Sequence, residues 1–224
     1  MMMKILSTLL FSFFLFSNLA AQTITISGKV FEKNTKEALV GVNVYLAGTS
    51  IGTSTDLEGN FEFETELKGR FDLIASFLGF KSERKEIIIE ERGFNLNFNL
   101  EPNLLQMEEV QISAKMDVEW QKKLADFKRF FLGWDSFANE TIIENSEMID
   151  FKKTGSNEII VTFQEPISIV NNALGYKIEL EQQKIVFNPF NHSGYWNVYP
   201  RFEEMQPENR RLQRIWVNNR KKSI

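Results

Sequence analysis

Between Thr23 and Leu100, apolar and polar residues alternate with a period of two, broken by short turn-forming clusters. In TITISGKVFE, Ile24, Ile26 and Val30 share one face, and Gly28 reads as a bulge. VGVNVYLAG sets Val42, Val44 and Leu46 on one face, while GNFEFETEL turns Phe61 and Phe63 inward between glutamates that face water. RFDLIASFLGF and RKEIIIEERGFNLNFNLEP supply further strands, the last closing with Leu96, Phe98 and Leu100 on a common face. Strands with one dry face must bury it against another sheet, so half a dozen of them without a helical period predict a β-sandwich. Pro102 interrupts the pattern, and LLQMEEVQISA reads as one more strand or an extended connector.

The period changes after Asp117. In DVEWQKKLADFKRFFLGW, Trp120, Leu124, Phe127, Phe131 and Trp134 recur at steps of four and three, which is one apolar helix stripe. Gly133 is its expected stop. The runs MIDFKK, NEIIVTFQEPISIV and YKIELEQQKIVF return to strand patterning. Residues 117–206 are therefore expected to form a smaller α+β region, an amphipathic helix covering a sheet. Residues 207–224 form a basic tail, read as helical or frayed. The fold class is mainly β.

The first residues concern location. Met1–Lys4 give a basic start, Ile5–Phe16 an apolar run, and SNLAAQ the small residues of a cleavage site. The run is shorter than the ~20 residues of a bilayer span, so residues 1–21 are read as an export signal cut after Ala21. Composition narrows the chemistry. A hydrophobic content of 43% is enough for packed cores, and the absence of cysteine removes disulfides, thiolate metal sites and cysteine nucleophiles. Charge is uneven: residues 22–116 and 117–206 each carry about −5, and the last eighteen about +5. An acidic body does not attract nucleic acid. The tail cations are read either as a solvated helix face or as a contact for phosphates or an acidic partner.

Three stretches invite a catalytic or metal reading. Gly48-Thr49-Ser50-Ile51-Gly52 fits the G-x-S-x-G nucleophile elbow, which needs a strand, a strained turn and then a helix. Here strand-forming Thr53 and Thr55 follow instead, and the sole histidine, His192, lies in the other region. The motif is therefore read as a corner. Asp56, Glu58 and Asn60 alternate like the first ligands of a calcium loop, but the twelfth position is Leu67. Asp56 and Gly59 are instead expected to build a structural turn, Asp56 capping the backbone and Gly59 adopting positive φ. NPFNHSGYWNVYPRF, residues 188–202, is the richest surface candidate, with Phe190, His192, Tyr195, Trp196 and Tyr199 able to stack on sugars or grip a peptide. Its competing reading is a strand-connecting loop whose aromatics fill the second core.

Taken together, ISGKVFEKNTKEALVGVNVYLAGTSIGTSTDLEGNFEF, ASFLGFKS and LNFNLEPNLLQMEEVQISA resemble the carboxypeptidase regulatory-like domain of exported Gram-negative proteins. The resemblance spans about residues 23–114, in a domain taken as 22–114. It rests on Gly28, Gly41-Val42-Asn43-Val44, Gly48-Thr49, Gly52-Thr53, Thr55-Asp56, Gly59, Phe61 and Gly79-Phe80. It implies a transthyretin-like sandwich that is accessory to catalysis; the same domain precedes the plug of many TonB-dependent receptors, a pattern from which this chain departs after Lys115. The zinc ligands of the metallocarboxypeptidases include two histidines, and this chain has one. The expectation is a non-catalytic binding or assembly module with no cofactor, in the periplasm, at the outer membrane or at the cell surface. Its expected partner is an outer-membrane receptor or other envelope protein. The alternatives are a glycan- or peptide-recognition protein using the Tyr195–Tyr199 patch, and a hydrolase.

Overall fold

A computed structural model describes residues 23–90, 92–103, 117–155 and 157–223, apart from the side chains of residues 182 and 183. The export signal expected at 1–21 and the strand or connector expected at 104–114 lie outside the described residues.

The alternating pattern between Ile24 and Pro102 resolves into short strands: β1 (Ile24–Glu32), β2 (Asn43–Leu46), β3 (Gly52–Ser54), β4 (Asn60–Thr65), β5 (Gly69–Ser76), β6 (Phe80–Lys81), β7 (Glu83–Ile89), β8 (Phe94–Asn95) and β9 (Phe98–Pro102). They form two sheets, one ordered β4-β1-β9-β6 with β8 also on β1, the other β3-β2-β5-β7. The faces follow the two-residue alternation. Ile24, Ile26, Val30, Phe61, Phe63, Phe98 and Leu100 from the first sheet bury against Val44, Leu46, Leu73, Ala75, Ile87 and Ile89 from the second. This is the expected sandwich.

Gly28 is not a bulge. β1 pairs with β4 without interruption from Ile24↔Thr65 to Lys29↔Asn60. On its other side β1 meets β8 at Ile26 and Ser27, then β9 from Val30 onward. In the gap between them the Leu96 carbonyl comes so close that a Cβ on Gly28 would stand 1.8 Å from it. Glycine is required there by close backbone approach rather than by an extra residue.

The second region opens with α1 (Val118–Leu132), capped by Asp117, whose carboxylate accepts the Trp120 N–H at 2.8 Å. The helix ends at Gly133, φ +90°. A short α2 (Ser136–Asn139) leads into a six-stranded sheet: β10 (Thr141–Ile143), β11 (Ile149–Lys153), β12 (Ile159–Phe163), β13 (Ile167–Asn171), β14 (Tyr176–Asn188) and β15 (Ser193–Glu204). Phe127 is fully buried among Phe131, Phe151, Phe163 and Phe187, and the Trp120 indole donates to the Ile149 carbonyl at 3.0 Å. The helix thus covers the sheet through Trp120, Leu124, Phe127 and Phe131. Trp134 departs from the expected stripe. It lies past the helix end and is 80% exposed, because the turn at Gly133 carries the chain away from the core.

The basic segment forms α3 (Arg210–Lys222). Trp216 is buried and donates from its indole to the Asn172 carbonyl. Asn219 and Arg220 donate to the carbonyls of Ala173, Leu174 and Gly175, and the Arg220 guanidinium lies 4.0 Å over the Tyr176 ring. These bonds fasten the helix to the β13–β14 turn. Among the described residues, no helix is long and apolar enough to cross a membrane.

Candidate functional site: a corner, an aromatic hairpin and the seam between sheets

Ser50 stands in a turn between β2 and β3, and its neighbours show what the turn does. The Thr49 hydroxyl donates to the Leu46 carbonyl and accepts from the Ile51 N–H, which tightens the corner. Outward, the Gly48 N–H donates to the Pro200 carbonyl at 2.7 Å, and the Phe202 N–H donates to the Thr49 carbonyl at 3.0 Å. The corner is therefore paired to the outer edge of β15. His192 lies at the far end of that strand, eight residues before Pro200, or roughly 26 Å at ~3.3 Å per strand residue. It is exposed, with φ +54°, in the turn between β14 and β15. A serine–imidazole pair does not form at this separation.

The corner is one part of a larger seam. Tyr45, Asp72, Ile74, Ser76, Ser82 and Arg84 lie on the outer face of the β3-β2-β5-β7 sheet, opposite its sandwich core. Tyr45 and Ile74 bury against Tyr199 of β15. The Tyr45 hydroxyl donates to the Tyr199 carbonyl at 3.2 Å. Glu181 of β14 reaches across the same seam and accepts hydrogen bonds from Ser76 and, at 2.9 Å, from Ser82. Beside them Arg84 donates to Asp72 at 2.8 Å.

Burial governs the titration of this seam. It raises the Glu181 carboxyl above the ordinary carboxylate range, against the opposing pull of the two serine bonds. It raises the Tyr45 phenol far above its usual value, helped by the nearby Glu181 charge, and it raises Tyr199 as well. An anionic Glu181 disfavours ionisation of a neighbouring phenol, so Tyr45 stays a neutral hydrogen-bond donor.

The aromatic stretch is a strand for most of its length, not a loop. β15 pairs with β14 from Tyr176↔Glu204 to Asn188↔Ser193, with a bulge between Gln182 and Lys184. Strand alternation divides the five expected patch residues between environments. Tyr199 is 6% exposed inside the seam and so is not a surface group. Trp196 projects to the other face, 51% exposed, with its ring edge-on to Phe130 and Phe131 at the end of α1. Tyr195, half exposed, lies beneath the Lys184 ammonium, 5.4 Å from its ring centroid. Phe190 and His192 are exposed in the turn, which Asn188 and Asn191 hold by accepting the Phe190 and Ser193 N–H groups. The period-two pattern of Tyr195, Asn197 and Tyr199 against Trp196 and Val198 was the available signal for this strand.

At the other candidate, Asp56 spends its oxygens on its own turn. It accepts from the N–H groups of Glu58 and Asn60 at 3.0 and 2.7 Å and from the Asn60 amide at 3.0 Å. The Asn60 side-chain bond leads in holding this carboxyl below its usual value. Gly59 has φ +75° and donates its N–H to the Asp56 carbonyl. Among the described residues, no three metal-ligating side chains converge.

Comparison with known proteins bears on the N-terminal region. A stretch of 82 residues, 37% of the chain, is 35% identical to part of the TonB-dependent receptor SusC of Bacteroides thetaiotaomicron. The matched region is 8% of that receptor's length, so the chain corresponds to a small part of it. Among solved structures, a DUF3823 family protein of Bacteroides ovatus is 12% identical, with 82% of each chain covered and a TM-score of 0.25. A cohesin–X-dockerin complex of Acetivibrio cellulolyticus is 20% identical over 34% of this chain and 52% of that one, with a TM-score of 0.29. Likeness at these scores carries no functional weight. The family model is more direct: residues 26–112 of this chain match the model of the CarboxypepD_reg-like domain, a span that includes the sandwich strands from Ile26 to Pro102.

Proposed function

We propose that this protein is an exported, non-catalytic binding or assembly module of the cell envelope, whose sandwich is presented to a partner protein or receptor. The observation that carries this reading is the fate of the Gly48–Gly52 corner. Its main chain is paired to β15 at Pro200 and Phe202, whereas the sole histidine lies in the turn before the other end of that strand, so the stretch that most resembles a catalytic motif is a docking element. The 35% identity to part of a TonB-dependent receptor supports the envelope setting. Cross-linking in intact envelopes followed by affinity recovery tests the proposal. Recovery of a defined outer-membrane or periplasmic protein is expected. A hydrolytic activity that disappears in Ser50→Ala or His192→Ala would overturn it.

A second reading, recognition of a glycan or peptide, is favoured by the half-exposed rings of Trp196 and Tyr195 at the β15 end. Stacking on such rings needs no charged ligand. Replacing Trp196 and Tyr195 by alanine and measuring both ligand binding and thermal stability separates the roles. Lost binding at unchanged stability supports recognition, and lost stability alone supports packing. Tyr199 is unsuited to this test, because its removal would open the seam.

A further inference from the structure

β15 has two edges, and one of them is only partly used. Its inner edge pairs with β14 along the full strand. Its outer edge meets the Gly48–Thr49 corner at Pro200 and Phe202. Those two bonds fix which residues aim their main-chain groups outward. By the two-residue alternation of an antiparallel ladder, Gly194, Trp196 and Val198 point their N–H and C=O groups to the same side. Among the described residues, none of these groups has a partner.

Sheet edges that remain free in solution are commonly blunted by a lysine, a proline or a bulge, because an open ladder recruits other strands. Between Ser193 and Tyr199 there is no charged residue and no proline. The one bulge in this hairpin belongs to β14. The open stretch also carries two of the large exposed side chains of the described residues, Tyr195 and Trp196.

We propose that the β15 edge from Gly194 to Val198 pairs antiparallel with the same edge of a second copy of this chain, forming a two-fold symmetric dimer. With the axis at Trp196, Gly194 faces the partner's Val198, and the three outward residues of each strand exchange about six main-chain hydrogen bonds. Trp196 meets its own counterpart on one face, which covers the ring left half exposed beside Phe130 and Phe131. On the other face Tyr195 lies opposite Asn197 of the second copy. A second copy suits this edge because the stretch is uncharged, so identical strands meet without repulsion. The new ladder is also continuous with the existing seam, since the incoming strand stops where the Gly48–Thr49 corner already occupies the edge.

Charge exchange tests the dimer. Sedimentation equilibrium of the purified protein, from micromolar to submillimolar concentration, should give a reversible dimer. The double variant Tyr195→Glu/Asn197→Glu places like charges directly opposite across the axis and should weaken association by about tenfold. The Tyr195→Lys/Asn197→Lys variant should do the same, and an equimolar mixture of the two should restore the dimer. Both positions are exposed, and unchanged circular dichroism checks that each variant is folded. Position 197 is opposite Lys184 in the β14 ladder and the Lys184 ammonium lies over position 195, so the glutamate variant keeps a favourable neighbour even if the lysine pair unfolds. A wild-type monomer throughout the range would overturn the proposal, as would a dimer indifferent to the glutamate pair. Failure of two folded variants to associate when mixed would do so too.

Discussion

Gly59 combines two constraints at a single position. Its φ of +75° is unfavourable for any side chain, and a Cβ there would stand 2.9 Å from both the Val30 carbonyl and the Ala38 Cβ. Gly133 has a similar φ, +90°, with nothing within 4 Å of the equivalent Cβ. The two glycines therefore separate conformational strain from steric conflict. Gly133→Ala is expected to cost about 1 kcal/mol, and Gly59→Ala about 2 kcal/mol or more, by equilibrium urea denaturation. Similar costs at both sites would show that the segment around Ala38 gives way easily. The Asp56 turn was readable from the sequence because all its partners lie within four residues. Gly28 was misread because its neighbour, Leu96, is distant in the chain and close only after folding.

At the scale of elements, α1 depends on which of its aromatics reach the sheet. Phe127 is fully buried among four other phenylalanine rings, whereas Trp134 has left the helix. Phe127→Ala is expected to destabilise the protein by about 3–5 kcal/mol, the range for truncating a buried aromatic. Trp134→Ala should stay within about 0.5 kcal/mol. Denaturant midpoints measured on both variants check the contrast, and equal losses would mean that Trp134 packs against something substantial. The helix was legible because its stripe is long and regular. The β15 strand was not, because glycine, asparagine and proline weaken its strand signal, and only pairing with β14 over twelve residues fixes it.

For the whole molecule, the seam gives stability a dependence on pH. Glu181 is surrounded by Ser76 and Ser82 from the sandwich and by the charges of Glu179 and Arg201 on its own sheet. Tyr45, Asp72 and Arg84 complete the setting. Burial raises its carboxyl in the folded state above its unfolded value. The folded state then binds the proton more tightly. The stabilisation is fully present below the unfolded carboxylate value and is lost as pH rises through the raised one. Glu181→Gln keeps an acceptor for the serines but removes the buried charge. The variant should be the more stable protein at neutral pH, with a flatter profile toward acid, as read from thermal unfolding across that range. A wild-type profile that matches the variant at every pH would mean the carboxylate is well solvated.

What the sequence determined by itself was everything local or periodic: the alternating strands of the sandwich, the amphipathic stripe of α1, and the tight turns at Asp56 and Gly48–Gly52. It also limited the chemistry, since one histidine and no cysteine are counts that folding does not change. Tertiary structure decided which faces meet. The sequence marks Tyr45, Ser76, Ser82, Glu181 and Tyr199 as ordinary strand residues on wet or dry positions. Their joint burial arises only when β14 and β15 lie against the outer face of the sandwich. The same docking turned an apparent nucleophile motif into a main-chain contact, because hydrogen bonds between residues so distant in the chain, Gly48 with Pro200 and Thr49 with Phe202, leave no periodic trace in it.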